Sequence, residues 1–258
     1  MKLLILAMSC NLEKYLNEEK AVRNTWGKDI DQGKYPGINY FFFTSGPEYD
    51  IDYQTKKIYV KSGDTLDDTT DKTRQTLKIV ERFFDFDYVL ITNLMTFLNL
   101  KLLYEFINSD IINDDYIYGG DFVQPLNYMG FLRGNFLLFA KKYVSIINNS
   151  SIFNKIANDV DLSCIFANYF ANAKAYLEKI RQVEAIRHFE YLGNYNIYNC
   201  FYCSLKSKGK ETNFIKNSDI LYKMLENTKR TEELNNLVFP IKYVDTLIGS
   251  YKLEKISD

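Results

Sequence analysis

The chain has 258 residues, 47% of them hydrophobic, with only 4 prolines and 12 glycines, which suits one large core and leaves little material for a flexible linker. Its 32 basic and 33 acidic residues leave a net charge of −1, excluding the broad positive field that draws proteins to nucleic acid or to anionic membrane. No stretch reaches the roughly 20 apolar residues that a spanning helix needs, so the expectation is a soluble, cytoplasmic protein or a soluble part of an anchored one.

The opening MKLLILAMSC meets the polar NLEKYLNEEK at once, and its apolar run has the length of a strand, so Lys2 to Met8 reads as a first buried strand rather than a leader. Leu12 to Asn24 follows as a helix, then Tyr40 to Thr44 and Lys57 to Val60 as strands. Asp64 to Phe84 is amphipathic, with Leu77, Val80 and Phe84 at helical spacing. Tyr88 to Thr92 is a fully apolar strand and Leu98 to Ile107 a helix. Beyond Ile117 the pattern loosens: Gly119-Gly120 reads as a turn and Phe136 to Phe139 as a strand. A helix is expected from Asp161 to about His188, a late strand over Tyr195 to Leu205, and a capped helix over Ser218 to Glu226.

Strands alternating with helices imply an α/β fold, a mostly parallel sheet with helices on both faces. Ligands of such sheets sit beyond the carboxyl ends of the strands, where Asn93 would lie. The expected organisation is a core over residues 1–190 and a strand and helix extension over 191–258, packed on the same domain.

Several local signals carry little chemistry. Cys200 and Cys203 form a C-x-x-C, but with His188 as the one histidine and no second pair, four zinc ligands are hard to assemble. Buried or idle thiols are the simpler reading, and isolated Cys10 and Cys164 suit a reducing compartment. Asn148 and Asn149 each begin an N-x-S, read as a polar loop. Neither a G-x-G-x-x-G nor a Walker loop supports a nucleotide-binding regulator.

The segment Arg23-Asn24-Thr25-Trp26-Gly27 resembles the Arg-x-Thr-Trp-Gly signature of the β-1,3-galactosyltransferase and fringe-like glycosyltransferases. Phe41 to Gly46 is similar to that family's second strand. Asp64-Thr65-Leu66 with Thr70, Lys72 and Thr73 resembles its Asp-Ser-Tyr…Thr-x-Lys-Thr helix. Tyr128, Phe131 and Gly134 match the spacing of its Tyr-Pro-x-Tyr-x-x-Gly segment, and Asn158-Asp159-Val160 resembles its Glu-Asp-Val. The likeness runs in order over roughly residues 1 to 170.

That resemblance implies a GT-A, Rossmann-like fold: a mixed, mostly parallel sheet flanked by helices. It also implies inverting transfer of a sugar from a UDP-sugar donor to a hydroxyl of a glycan or protein acceptor. In that role Asp159 would be the catalytic base, while Arg23, Trp26, Asp64, Lys72, Asn93, Met95 and Gly134 would surround the nucleotide sugar. Plainer roles stay open beside these. Arg23 also suits a helix end, Trp26 a core, Asp159 or Asp161 a helix cap, Lys72 a solvated helix face, and Tyr128 and Phe131 simple packing.

One departure governs the chemistry. Where the family reads Tyr-Val-Leu-Lys-Thr-Asp-Asp-Asp-x-Phe-Val-Asn, residues 88–99 read YVLITNLMTFLN, so Asn93, Leu94 and Met95 stand in place of the metal-binding carboxylates. Hard divalent cations need oxygen ligands, and here only one neutral carbonyl is offered. No metal and no other cofactor is expected, and basic side chains such as Arg23, Lys72 or Arg133 would have to stabilise the leaving diphosphate. The family's Glu before the base is Asn158 and its floor Pro is Met129. Two readings follow: a metal-independent transferase, or a catalytically inactive pseudoenzyme that keeps the fold as a binding or assembly module.

Overall fold

The computed structural model describes residues 1–109, 118–123 and 131–151, with shorter pieces at 161, 162, 165, 176–178, 188–189, 202–204, 218, 219, 221–223, 243–244 and 252–254. Strand β1 (Leu3–Met8) leads into α1 (Glu13–Asn24) and α2 (Trp26–Asp31), then β2 (Ile38–Ser45), β3 (Asp50–Asp52) and β4 (Lys57–Val60). A 3₁₀ turn (Leu66–Asp68) opens α3 (Thr69–Phe83), followed by β5 (Tyr88–Asn93), β6 (Thr96–Leu98) and α4 (Leu100–Ile107). Next come β7 (Tyr118–Val123), β8 (Phe131–Ala140) and α5 (Lys141–Asn149). The short strands β9 (Tyr176–Glu178), β10 (His188–Phe189), β11 (Tyr202–Ser204), β12 (Tyr243–Val244) and β13 (Lys252–Glu254) complete the described chain.

Seven strands form one sheet in the order β3-β4-β2-β1-β5-β8-β7. The central four are mutually parallel, and only β3 and β8 run against the rest. The architecture is therefore the expected one, a mixed, mostly parallel α/β sheet with helices packed on it. β1, β2 and β5 are apolar along both alternating sets of side chains and buried almost throughout, which requires cover on both faces. α3 turns Thr70, Thr73, Thr76, Leu77 and Val80 inward, the spacing of three and four residues that makes one helix face.

Element boundaries moved where side chains, not periodicity, decided them. Thr25 interrupts the first helix, its hydroxyl donating back to the Ala21 carbonyl at 2.8 Å, and α2 follows at once. The expected helix from Asp64 starts only at Thr69, because the Asp68 carboxylate accepts from both the Thr65 amide (3.0 Å) and hydroxyl (2.6 Å) and winds a tight turn first. Asp64 is thereby left outside the helix. Leu98 belongs to β6 rather than α4, which Asn99 caps by accepting from the Leu102 amide at 3.3 Å. Pairing with the distant Tyr202–Ser204 makes that strand.

Other expectations are corrected outright. Gly119-Gly120 is no turn: both glycines lie within β7 opposite Leu138 and Leu137, next to a register irregularity, a frequent place for glycine in a strand. The strand expected at Phe136 to Phe139 runs from Phe131 to Ala140, and α5 after it was not anticipated. The single helix over Asp161 to His188 fails as well. Residues 161, 162 and 165 are helical, but Tyr176–Glu178 pairs with Lys252–Glu254 and His188–Phe189 with Tyr243–Val244. Those partners are distant in sequence and leave no local signal. Of the late strand expected over Tyr195 to Leu205, Tyr202–Ser204 is observed, and residues 218, 219 and 221–223 are helical; the rest of both segments lies outside the described residues. No helix among the described residues is long and apolar enough to cross a membrane.

The corner between α1 and α2 explains the Arg23–Gly27 motif in packing terms. Trp26 is buried and meets Tyr40 edge-on at 5.5 Å. Arg23 donates to the Thr55 carbonyl and lies 4.6 Å over the Phe42 ring. A Cβ on Gly27 would come within 2.8 Å of the Val22 carbonyl oxygen and 3.0 Å of the Tyr40 hydroxyl. Because the nearest of these atoms is backbone, Gly27→Ala is expected to lower stability by about 1–3 kcal/mol, read from the midpoint of denaturant unfolding.

Candidate functional site

β1 is followed by β2 and then β4 on one side, after which the chain returns to place β5 on the other side of β1. The strand order thus reverses between β1 and β5, the topological switch point where open α/β sheets bind ligands beyond the carboxyl ends. At those ends Met8 pairs with Asn93. Ser9 to Asn11, Ser45 and Asp64 lie beside them.

A polar network occupies this edge. Asp64 accepts from the Asn11 amide at 3.2 Å and forms an ion pair with the Lys72 ammonium. Lys72 is almost fully buried and also donates to the Ser9 carbonyl at 3.2 Å. The Asn11 amide group donates to the Ser45 carbonyl at 2.7 Å. Burial pushes the Asp64 carboxyl up, but hydrogen bonds from Lys72, Ser45 and the Asn11 backbone outweigh it and hold the group down at about 2. One layer below, the Ser9 hydroxyl donates to Glu19 at 2.6 Å, and Glu19 pairs with Lys57 at 2.9 Å. The strand ends are thereby cross-linked by charges that satisfy one another.

The segment standing where the resembled family carries carboxylates folds on itself. Asn93 Oδ1 accepts from the Met95 amide and the Thr96 hydroxyl, both at 3.0 Å, an Asx-type turn. Asn93 Nδ2 donates to Asn135 Oδ1 at 2.6 Å across to β8, and the Thr92 hydroxyl donates to the Asn135 carbonyl at 2.6 Å. Leu94 turns into the core, and Met95 packs half-buried against it. Among the described residues no three His, Cys, Asp or Glu side chains gather as a metal site would require.

The structure brings Asp64 and Lys72 into direct contact, sets Asn93 and Met95 along the same edge at the end of neighbouring β5, and leaves the half-buried Gly134 in β8 beyond it. It keeps Arg23 and Trp26 apart from them: Arg23 sits at Thr55, before the start of β4, and Trp26 lies in the core. Asp159 lies outside the described residues, as do Asn158, Tyr128, Met129, Cys164 and Cys200. Phe131 and Arg133 lie in β8, Cys203 pairs opposite Phe97, and Cys10 is a buried free thiol. Asp161, two residues beyond Asp159, is fully buried and accepts from the Thr70 hydroxyl at 2.8 Å. Sequence reasoning missed Ser9, Asn11, Ser45 and Asn135. The first three end a strand or follow one within three residues, a position that could have flagged them; Asn135 carried no such signal, because β8 was placed too short to include it.

No protein-family profile matches the chain, and no curated protein matches it. Among solved structures it is similar to a glycosyltransferase involved in the glycosylation of the major capsid of PBCV-1, with 9% identity and a TM-score of 0.46 over 88% of this chain and 100% of that one. It is also similar to the apo-form glycosyltransferase GlyE of Streptococcus pneumoniae TIGR4, with 12% identity and a TM-score of 0.36 over 66% of this chain and 43% of that one. A third likeness is to the inositol-1-phosphate CTP transferase of T. maritima, with 13% identity and a TM-score of 0.36 over 66% of this chain and 82% of that one. At such identities and TM-scores these likenesses assign neither family nor reaction.

Proposed function

We propose that the chain is a GT-A-type glycosyltransferase that moves a sugar from a UDP-sugar to an acceptor hydroxyl, with inversion and without the family's metal ion. The observation that carries the reading is the cluster of Ser9, Asn11, Ser45, Asp64 and Lys72 at the carboxyl edge, beside Asn93 at the switch between β1 and β5. Its support from sequence is the ordered resemblance of the Asp64–Thr73 and Tyr88–Asn99 segments to the β-1,3-galactosyltransferase and fringe-like families.

Within this reading each requirement of the reaction has a candidate. Lys72 and Asp64 order the nucleotide side of the edge, with Asn11 as their backbone partner. Asp159 is the proposed base, taking the proton of the acceptor hydroxyl as its oxygen attacks the anomeric carbon and UDP departs. Leaving-group charge falls to hydrogen-bond donors and basic side chains rather than to a cation. Arg23 and Trp26 act at a distance, holding the α1–α2 corner against β2.

Calorimetric titration with UDP and a panel of UDP-sugars, first with Mn²⁺ and then with EDTA, tests the proposal. Saturable binding that persists in EDTA is the expected result. Absence of binding in both conditions would overturn it and leave the pseudoenzyme reading, a fold retained for assembly.

A further inference from the structure

The hydrogen bonds around Asn93 determine which atoms the β5–β8 junction presents outward. The Met95 amide can only donate, so the Asn93 atom facing it is the oxygen. Asn93 Nδ2 then faces β8, and the Asn135 atom it meets at 2.6 Å must be an acceptor, Oδ1. Asn93 Oδ1 thus spends both lone pairs on its own turn, and Asn135 Oδ1 spends one on Asn93. What remains to donate is Asn135 Nδ2, which has no hydrogen-bond partner among the described residues on a half-buried side chain, together with the second N–H of Asn93. Where the resembled family carries anionic oxygens, this strand end carries two neutral amides with N–H groups to spare.

From this reversal of polarity we infer that the Asn93–Asn135 pair receives the diphosphate of the nucleotide donor directly, through Asn135 Nδ2. The inference rests on the UDP-sugar reading and specifies how a phosphate is met without a metal. Two neutral amides whose oxygens are already engaged in the junction are a poor ligand set for a hard cation, whereas a half-buried amide N–H with no partner among the described residues suits a phosphate oxygen, and the charge on the acceptor strengthens the bond. Because Asn93 is locked by the backbone of its own turn, Asn135 cannot flip its amide without setting its own Nδ2 against Asn93 Nδ2 and losing the bond. The donor is pre-oriented before substrate arrives.

The test titrates UDP by calorimetry and uridine by ligand-observed NMR, both in EDTA, into the wild type, Asn135→Leu and Asn135→Asp. Loss of one hydrogen bond to a charged group predicts about a tenfold or greater fall in UDP affinity for Asn135→Leu, with uridine binding held within about twofold. Asn135→Asp is expected to fall further and to recover on adding Mn²⁺, since its second oxygen points outward and repels phosphate until a cation bridges them. Retained uridine binding shows that each variant is folded. A UDP-to-uridine affinity ratio equal to that of the wild type in both variants would overturn the inference and leave the transferase reading standing. A wild type that binds UDP no better than uridine would overturn it too, whereas one that binds neither UDP nor any UDP-sugar would sink the transferase reading and the inference with it.

Discussion

Lys72→Met is expected to cost about 2–3 kcal/mol of stability at neutral pH, a loss that shrinks as the solution is acidified. Methionine keeps the buried apolar stem and removes only the ammonium. Asp64 then retains the Asn11 amide but loses its counter-ion, and the Ser9 carbonyl loses a donor. The pH dependence follows from the carboxyl, held at about 2 against an ordinary 3.8. A depressed carboxylate stabilises the fold fully above its unfolded value, and that stabilisation is lost as pH falls toward its folded value. The depression corresponds to about 2.4 kcal/mol, and with about a quarter of the Asp64 side chain in water screening reduces the realised part to on the order of 1–2 kcal/mol. Urea unfolding of both proteins at steps from pH 7 to 2.5 is the check. A stability gap that stays constant across the range would mean that packing, not the ion pair, carries the loss.

Trp26 offers a second large effect and separates two roles for one residue. Trp26→Ala should destabilise by about 3–5 kcal/mol, because a fully buried indole packed edge-on against Tyr40 leaves a large cavity. Trp26→Phe should cost about 1 kcal/mol or less. The indole N–H has no hydrogen-bond partner among the described residues, so phenylalanine relieves a buried unsatisfied donor while giving up some apolar contact. UDP affinity should be unchanged in the phenylalanine variant, and the emission of this lone tryptophan should be blue and insensitive to UDP. A selective loss of UDP affinity in a stable Trp26→Phe protein would return Trp26 to the binding surface.

The two substitutions differ because two kinds of information built the neighbourhood. Both residues were singled out from motifs that resemble one family, yet Lys72 came to the carboxyl edge and Trp26 to the core. A motif records which side chains occur at which spacing; it does not record whether a spacing serves ligand or packing. For Arg23 to Gly27 the local reasons turned out to be packing of the corner: the space that Gly27 leaves free beside the Val22 carbonyl and the Tyr40 hydroxyl, and the Arg23 guanidinium over the Phe42 ring. For Asp64 to Lys72 they are electrostatic.

The sequence by itself determined the parallel centre of the sheet, because β1, β2 and β5 are short apolar runs with helical patterns between them, and burial on both faces leaves no other use for such runs. It also determined that residues 93–95 lack the ligands of a metal site, since that is a matter of side-chain chemistry alone. Only the tertiary structure decided where Asp64 would point, because the end of β1 brings the Asn11 amide to it from 53 positions away while Lys72 reaches it from α3. Only it decided the strands at Tyr176 and His188 and the partner of the one at Tyr202, because the pairing residues are distant in the chain. The pairing of Asn93 with Asn135 belongs with these: the two residues are 42 positions apart, and their meeting follows from the antiparallel register of β8 on β5, which no local pattern encodes.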